Sequence, residues 1–353
     1  SQEDPAYYFG GSGGAAGNGG TVRVQQDGTI VTAGTAAFGI FAQSVGGGGG
    51  IAGNVDRGVA ANRADAVVFG ASGGGGGDGA DVYVESTGTI LTYGDGATAI
   101  VAQSVGGGGG LLGEIGAGRG LLGSSGAIGT AGQVTVNHTG SIVTYGEQAH
   151  GIYAQSLDGD GLSTGLVTVD YTGDITVLGE GSHAIVAQAK EGLGAAALAV
   201  TIQTGSTITG SAEGAALNLI GGDASTVLNQ GTLQTIAGLQ GTAIIGGGAS
   251  DDVTNEHLII GEVDLGDGTN TLTNAEAGTI IVGERLSLEG TDGGIGQMEN
   301  RGTLSVDQFG VRGLTEVSGA FAQTDTGLNF VDLAFADYTA DQIRSTGSAN
   351  WDG

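Results

Sequence analysis

The chain alternates short runs of β-branched residues with turns of Gly, Asp, Asn and Thr, and the runs come back at fixed offsets. The stretch GIFAQSVGGGGG at 39–50 returns as AIVAQSVGGGGG at 99–110, as GIYAQSLDGDG at 151–161 and as AIVAQAKEG at 184–192. With the glycine of each GTI-like triplet as origin (Gly28, Gly88, Gly140, Gly173), the alanine of the AQ pair follows fourteen residues later, at Ala42, Ala102, Ala154 and Ala187. Valines stand six and four residues before that origin, from Val22 and Val24 to Val167 and Val169, and an isoleucine stands two residues after it, from Ile30 to Ile175. Apolar and polar residues alternate within each run, so each predicts a strand with one buried face. Three such strands per unit of roughly 25 residues, bounded by turn residues, predict one coil of a parallel β-solenoid. Helix is the poorer reading, because Val, Ile and Thr dominate and glycine interrupts every eight or so residues.

Stacked coils satisfy one another's backbone groups, so the interior needs only columns of small and β-branched side chains. Ile40, Ala42 and Ser44 are expected inside with Ile100, Ala102 and Ser104, and Phe41, Val101, Tyr153 and Val186 outward or under a flanking loop. Gln43, Gln103, Gln155 and Gln188 form one column whose amides can bond along the stack, a structural rather than a catalytic role. Successive origins lie 60, 52, 33 and 32 residues apart, counting Gly205 as the next. Spacing within a coil is rigid, so the slack falls between the AQS strand and the next valine strand. Glycine-rich loops are therefore expected to leave one corner at 46–80 and 106–131, the glycines supplying the positive φ of a sharp exit.

These regularities divide the chain into an AQS-repeat β-helix over 1–195, thinner coils over 196–312, and a segment with larger apolar residues over 313–353. That last segment, with Phe321, Phe330, Leu333 and Phe335, is expected to cap the open end. Glycine contributes 78 of 353 residues without an every-third-residue period, which excludes collagen, and 39% of residues are hydrophobic, which argues against disorder. The formal charge of -28 argues against nucleic acid or anionic lipid as partners. No apolar run reaches the ~18 residues of a spanning helix, the N-terminus lacks a signal-peptide pattern, and there is no cysteine.

Two stretches carry a resemblance to a family. The G[IV]xAQSxGGGGG repeat with its GTI and GNGGTV flanks resembles the glycine-rich repeats of large Gram-negative autotransporter adhesins. The terminal VSGAFAQTDTGLNFVDLAFADYTADQIRSTGSANWDG is similar to the autochaperone segment that ends many such passengers. The resemblance implies a right-handed parallel β-helix carried to the cell surface by type V secretion and anchored to the outer membrane through a C-terminal β-barrel outside this sequence. The last coils would fold first and template the rest.

Candidate chemistry is sparse. GASGG at 70–74 and GRGLLG at 118–123 fit GxSxG and GxGxxG, but in so glycine-rich a chain such matches arise by chance. No protease-like nucleophile segment is present and the rod is nearly free of Lys and Arg, so no enzyme, protease or polysaccharide lyase, is expected. His150 and His183 share a column, read as exposed and variable rather than metal-binding, since no third ligand recurs. Asp158, Asp160, Asp264 and Asp267 sit in glycine turns, as do Asp78 and Asp81; their carboxylates suit calcium, although Asp-Gly is also simply a turn dipeptide. Arg57, Arg63, Arg119 and Phe69, with Tyr7 and Tyr8, are the candidate partner contacts on the glycine-rich loops. The function expected is non-enzymatic adhesion to a host or bacterial surface molecule, or self-association. A structural stalk is the alternative, with a hydrolase behind both.

Overall fold

The computed structural model describes residues 17–46, 77–107, 129–158, 164–191, 197–290, 294, 296–307, 313–334 and 339–352, with the backbone of Tyr7–Phe9 and Val67–Phe69. The architecture is a parallel β-helix. One face is a ten-stranded parallel sheet in chain order, from Ile40–Val45 through Ile100–Val105, Ile152–Leu157 and Ile185–Glu191 down to Gln342–Ser345. The alanines and glutamines of the AQ pairs are direct partners there, Ala42 opposite Ala102 and Gln43 opposite Gln103. Across the core, Val22–Thr32, Val82–Thr92, Val134–Thr144 and Val167–Val177 stack in full register, with Val82 paired to Val134 as the columns require.

Three separate strands per coil were expected, and the first four coils differ. Their valine and isoleucine runs form one continuous 11-residue strand. From the fifth coil the two halves separate: Leu198–Ile202 continues from Val167–Tyr171, while Thr207–Gly210 continues from Asp174–Thr176. The sheet forks there, and its branches run on to Ala349–Trp351 and to Leu328–Phe330. The bend inside each long strand is the origin glycine, with φ from +108° to +144° at Gly28, Gly88, Gly140 and Gly173. A Cβ at Gly88, Gly140 or Gly173 would also overlap the carbonyl of the origin glycine one coil earlier, so only glycine lets the corners stack.

The core is a set of columns. Val82, Val84, Ile90, Ile100 and Ala102 are fully buried, as are their successors Val134, Val136, Ile142, Ile152 and Ala154. Each buried Val or Ile contributes about 1.5–3 kcal/mol relative to exposure. In the first described coil Val22, Val24 and Ile30 are only partly buried. On the outer side of the AQS sheet Val101 and Val186 are buried although they lie outside the core cluster, while Phe41 and Tyr153 keep partial exposure. Neighbouring side chains close over this surface. Gln43 donates to Gln103 at 2.5 Å, Gln103 to Gln155, Gln155 to Gln188 at 2.6 Å, and the Tyr153 hydroxyl bonds Gln188, so the expected amide ladder is present.

A second ladder is buried inside the later coils. Asn229 donates to Asn255 (2.8 Å), Asn255 to Asn274 (2.9 Å), Asn274 to Asn300 (2.8 Å) and Asn300 to Gln323 (2.9 Å). Each of the four asparagines also bonds the carbonyl of the residue that opens the next strand one coil on, Leu258, Thr279, Thr303 or Leu328. The parallel register carries through residue 313 without a break, with Met298 opposite Phe321 and Thr303 opposite Leu328. Phe321 is buried against Trp351 (centroids 5.1 Å apart), whereas Phe330 and Leu333 are exposed; Phe335 lies outside the described residues.

Candidate functional site

The corner between the AQS sheet and the next valine strand is where both long insertions leave and return. The serine of each AQS motif points inward and ties that corner together. Ser44 Oγ accepts the Ala80 N–H (2.9 Å); Ser104 Oγ accepts from Gly132 (2.8 Å) and donates to the Ala80 carbonyl (2.8 Å); Ser156 Oγ accepts from Gly165 (3.0 Å) and donates to Gly132 (2.9 Å). The carboxylates Asp78 and Asp81 do the same from the return side. Asp78 Oδ1 accepts both the backbone N–H and the hydroxyl of Thr130 (2.9 Å each), and Asp81 takes the Gln133 N–H (2.9 Å) and the Tyr83 hydroxyl (3.1 Å). The Thr130 backbone N–H, then its hydroxyl, hold Asp78 below the usual carboxylate range.

Glycine at this corner answers a different need from the one expected. Gly46 and Gly106, where the chain departs, do not have positive φ, although Gly107 does (+66°). A Cβ at Gly46 would overlap the Gly77 carbonyl, and one at Gly106 the Thr130 carbonyl. The Gly107 N–H also reaches the Gly77 carbonyl at 2.8 Å, bringing the exit of one insertion to the return of the other. Close backbone approach therefore selects glycine here. Farther along the first insertion, Val67–Phe69 pairs in parallel with Tyr7–Phe9, Tyr7 opposite Val67 and Phe9 opposite Phe69. Arg57, Arg63 and Arg119 lie outside the described residues, and Phe69 is placed by its backbone alone.

The histidine column is a correction: it is half-buried and used. His150 Nδ1 accepts the His183 backbone N–H (3.0 Å), and His183 Nδ1 accepts that of Ala215 (2.9 Å), while His183 Nε2 lies 3.2 Å from the Asn218 side-chain nitrogen. The rings stack 5.4 Å apart. Burial, reinforced by the neighbouring His183, pushes His150 down to about 3, and burial alone pushes His183 down to about 4. His138 is more enclosed: its Nδ1 meets Ser86 Oγ at 3.1 Å, its Nε2 is buried without a partner, and burial pushes it down to about 4. With both Nδ1 lone pairs of the column engaged, the His150–His183 pair is a backbone-bonding ladder.

The acidic turns are likewise occupied. Asp158 pairs with Lys190 at 2.9 Å, Asp264 Oδ1 caps the Gly266 N–H (3.2 Å), and the Asp267 N–H bonds the Gly247 carbonyl (2.9 Å). Asp160 lies outside the described residues. Among the described residues no three His, Asp or Glu side chains converge as a metal set. One carboxylate stands apart. Asp251 is buried inside the cylinder with neither oxygen in a hydrogen bond of regular geometry, and burial pushes it up to about 6, against the opposite pull of the nearby Ser225 hydroxyl and Gly247 N–H.

The first coils also carry a polar groove of about 530 Å³ on the outside of the valine strands, lined by Gln25, Asp27, Glu85, Thr87, Asn137 and Thr139. Gln25 Nε2 donates to Glu85 Oε2 at 3.1 Å, and in the adjacent row Arg23 lies over the Tyr83 ring, 4.1 Å from its centroid. Sequence reasoning passed this groove over, as it did the asparagine ladder. Three of the four asparagines were signalled by their place two to four residues before the glycine of a GT[IL]-like triplet (NQGT, NAEAGT, NRGT), whereas Asn255 precedes EHLII, and the groove residues share only position, not type. Compared with known proteins, the chain matches no family model, no curated protein and no solved structure.

Proposed function

We propose that the chain is the surface-exposed passenger of an autotransporter and works as a non-enzymatic adhesin, a stiff acidic rod that holds insertions out from one corner. The observation that supports this reading is the corner itself. Serines of three successive AQS motifs, together with Asp78 and Asp81, tie the start and end of each insertion to the coils above and below. Effort of that kind favours loops whose position matters, and binding residues lie preferentially on loops held by rigid scaffolds. In this reading the partner is a molecule on a host or bacterial surface, or a second copy of the chain, and a β-barrel elsewhere in the full-length protein anchors the rod to the outer membrane.

Removal of 48–75 and 109–127, with the glycine stems kept, tests it. Beads coated with the shortened rod should lose cell binding while circular dichroism stays that of a β-sheet protein. A structural stalk is the second reading, favoured by the ten strands that stack in chain order in one parallel sheet. Undiminished binding by a folded deletion variant would decide for the stalk, and turnover in a screen of ester, peptide and glycan substrates would overturn both.

A further inference from the structure

The polar groove runs along the helix axis over the first three coils. Two rows of exposed side chains stand there in register: Gln25, Glu85 and Asn137 in one, Asp27, Thr87 and Thr139 in the other. Their spacing is that of stacked strands, about 4.8 Å, close to the advance per ring of an extended polysaccharide. The chemistry of the rows is that of hydroxyl recognition. Carboxylates accept from neighbouring hydroxyls of a ring, side-chain amides both donate and accept, and threonine hydroxyls do either. Gln25 already braces Glu85, so that carboxylate is held rather than free to swing. Among the described residues no cationic side chain lines the groove, and Asp27 and Glu85 repel sulfate or uronate groups.

We propose that this groove binds an uncharged polysaccharide lying parallel to the rod axis, with Glu85 and Asn137 as the principal hydroxyl partners. The inference gives a ligand class to the rod read above as an adhesin and takes only its biological setting from that reading. All six side chains point away from the core, so substitution there leaves the stacked ladder intact.

The test is calorimetric titration of the whole 353-residue chain with neutral cello-, xylo- and manno-oligosaccharides, with heparin as the anionic comparison. Binding of at least one neutral series is expected, weakened about tenfold by Glu85→Ala and by Asn137→Ala, each removing a hydrogen bond to the ligand. Glu256→Ala, an exposed change in a distant coil, should leave it unchanged. Absence of binding by every neutral series, undiminished binding by the double variant Glu85→Ala/Asn137→Ala, or preference for heparin would each overturn the proposal. Bead adhesion separates this inference from the adhesin reading. Beads that adhere to cells without any neutral-glycan binding leave the adhesin and remove the groove; glycan binding by beads that do not adhere leaves the groove and removes the adhesin.

Discussion

The asparagine ladder allows one substitution to be worked through. Asn274 is fully buried; its Oδ1 accepts from Asn255 (2.9 Å), and its Nδ2 donates to Asn300 Oδ1 (2.8 Å) and to the Thr303 carbonyl (2.9 Å). Asn274→Ala removes three hydrogen bonds at about 1 kcal/mol each, and the cost rises to about 5 kcal/mol if the Asn300 and Thr303 oxygens are left dry and unpaired. Asn255 keeps its bond to the Thr279 carbonyl, so the damage runs mainly toward the next coil. Asn274→Asp is the sharper variant. It is isosteric, but places an acceptor against two acceptors, so at pH 7 it should be no better than alanine. Protonation at lower pH restores a donor, and the aspartate variant should then recover relative to alanine. Because a solenoid is held coil to coil, protection from hydrogen exchange should fall across 250–306 and stay unchanged across 82–177. Urea unfolding combined with hydrogen-exchange mass spectrometry reads both effects. An aspartate variant as stable as the parent at pH 7, or protection lost evenly along the rod, would refute the reasoning.

Further consequences can be checked with the same instruments. His138 and His183 are pushed down to about 4, so on acidification the unfolded chain takes up their protons first. Their contribution is complete above the ordinary value of about 6.5 and falls by roughly 1.4 kcal/mol per pH unit for His138 on the way down to about 4, somewhat less for the partly exposed His183. In thermal melts from pH 7.5 to 4 His138→Phe should lose stability less steeply than the parent, by the His138 share alone. Asp251 works in the opposite sense: its native carboxyl, pushed up to about 6, takes its proton before the unfolded chain does, so its penalty grows as pH rises through that window. Asp251→Asn should therefore stabilise the rod at pH 7.5 by up to about 3 kcal/mol and make little difference near pH 4. Gly140→Ala, at φ +144° and against the Gly88 carbonyl, should unfold the early coils at a temperature where the parent is intact.

The columns were legible because a parallel stack repeats its chemistry at constant offset. Ala42, Ala102, Ala154 and Ala187 share a position in the sequence pattern and a file in the sheet for the same reason. Alternation alone also put Ser44 and Ser104 inside, but not what they bond. Their partners Ala80 and Gly132 lie across insertions of variable length, and no local pattern announces them. On the outer side of the AQS sheet alternation left open whether Val101 and Val186 would be exposed or covered, because it tells which way a side chain points, not what comes to cover it. His150 and His183 were misread on the same ground, since an outward position need not be a solvated one. The groove was invisible for a further reason. Its residues are united by place along the axis, and Gln25, Glu85 and Asn137 differ in type exactly because no packing constraint makes them agree.

The corner glycines of the first coils set how the rod can change in length. Gly140 and Gly173 rest on their predecessors in the same way, and the turns that follow them keep the same length, with Tyr145 and Leu178 at the same place in their windings. A block cut from one such position to the next carries a whole winding with matched upper and lower edges, so joining its flanks restores the ladder with no seam. The length of the stack can thus grow or shrink by duplication or loss of single windings, while the corner held by Ser104 and Ser156 keeps its geometry.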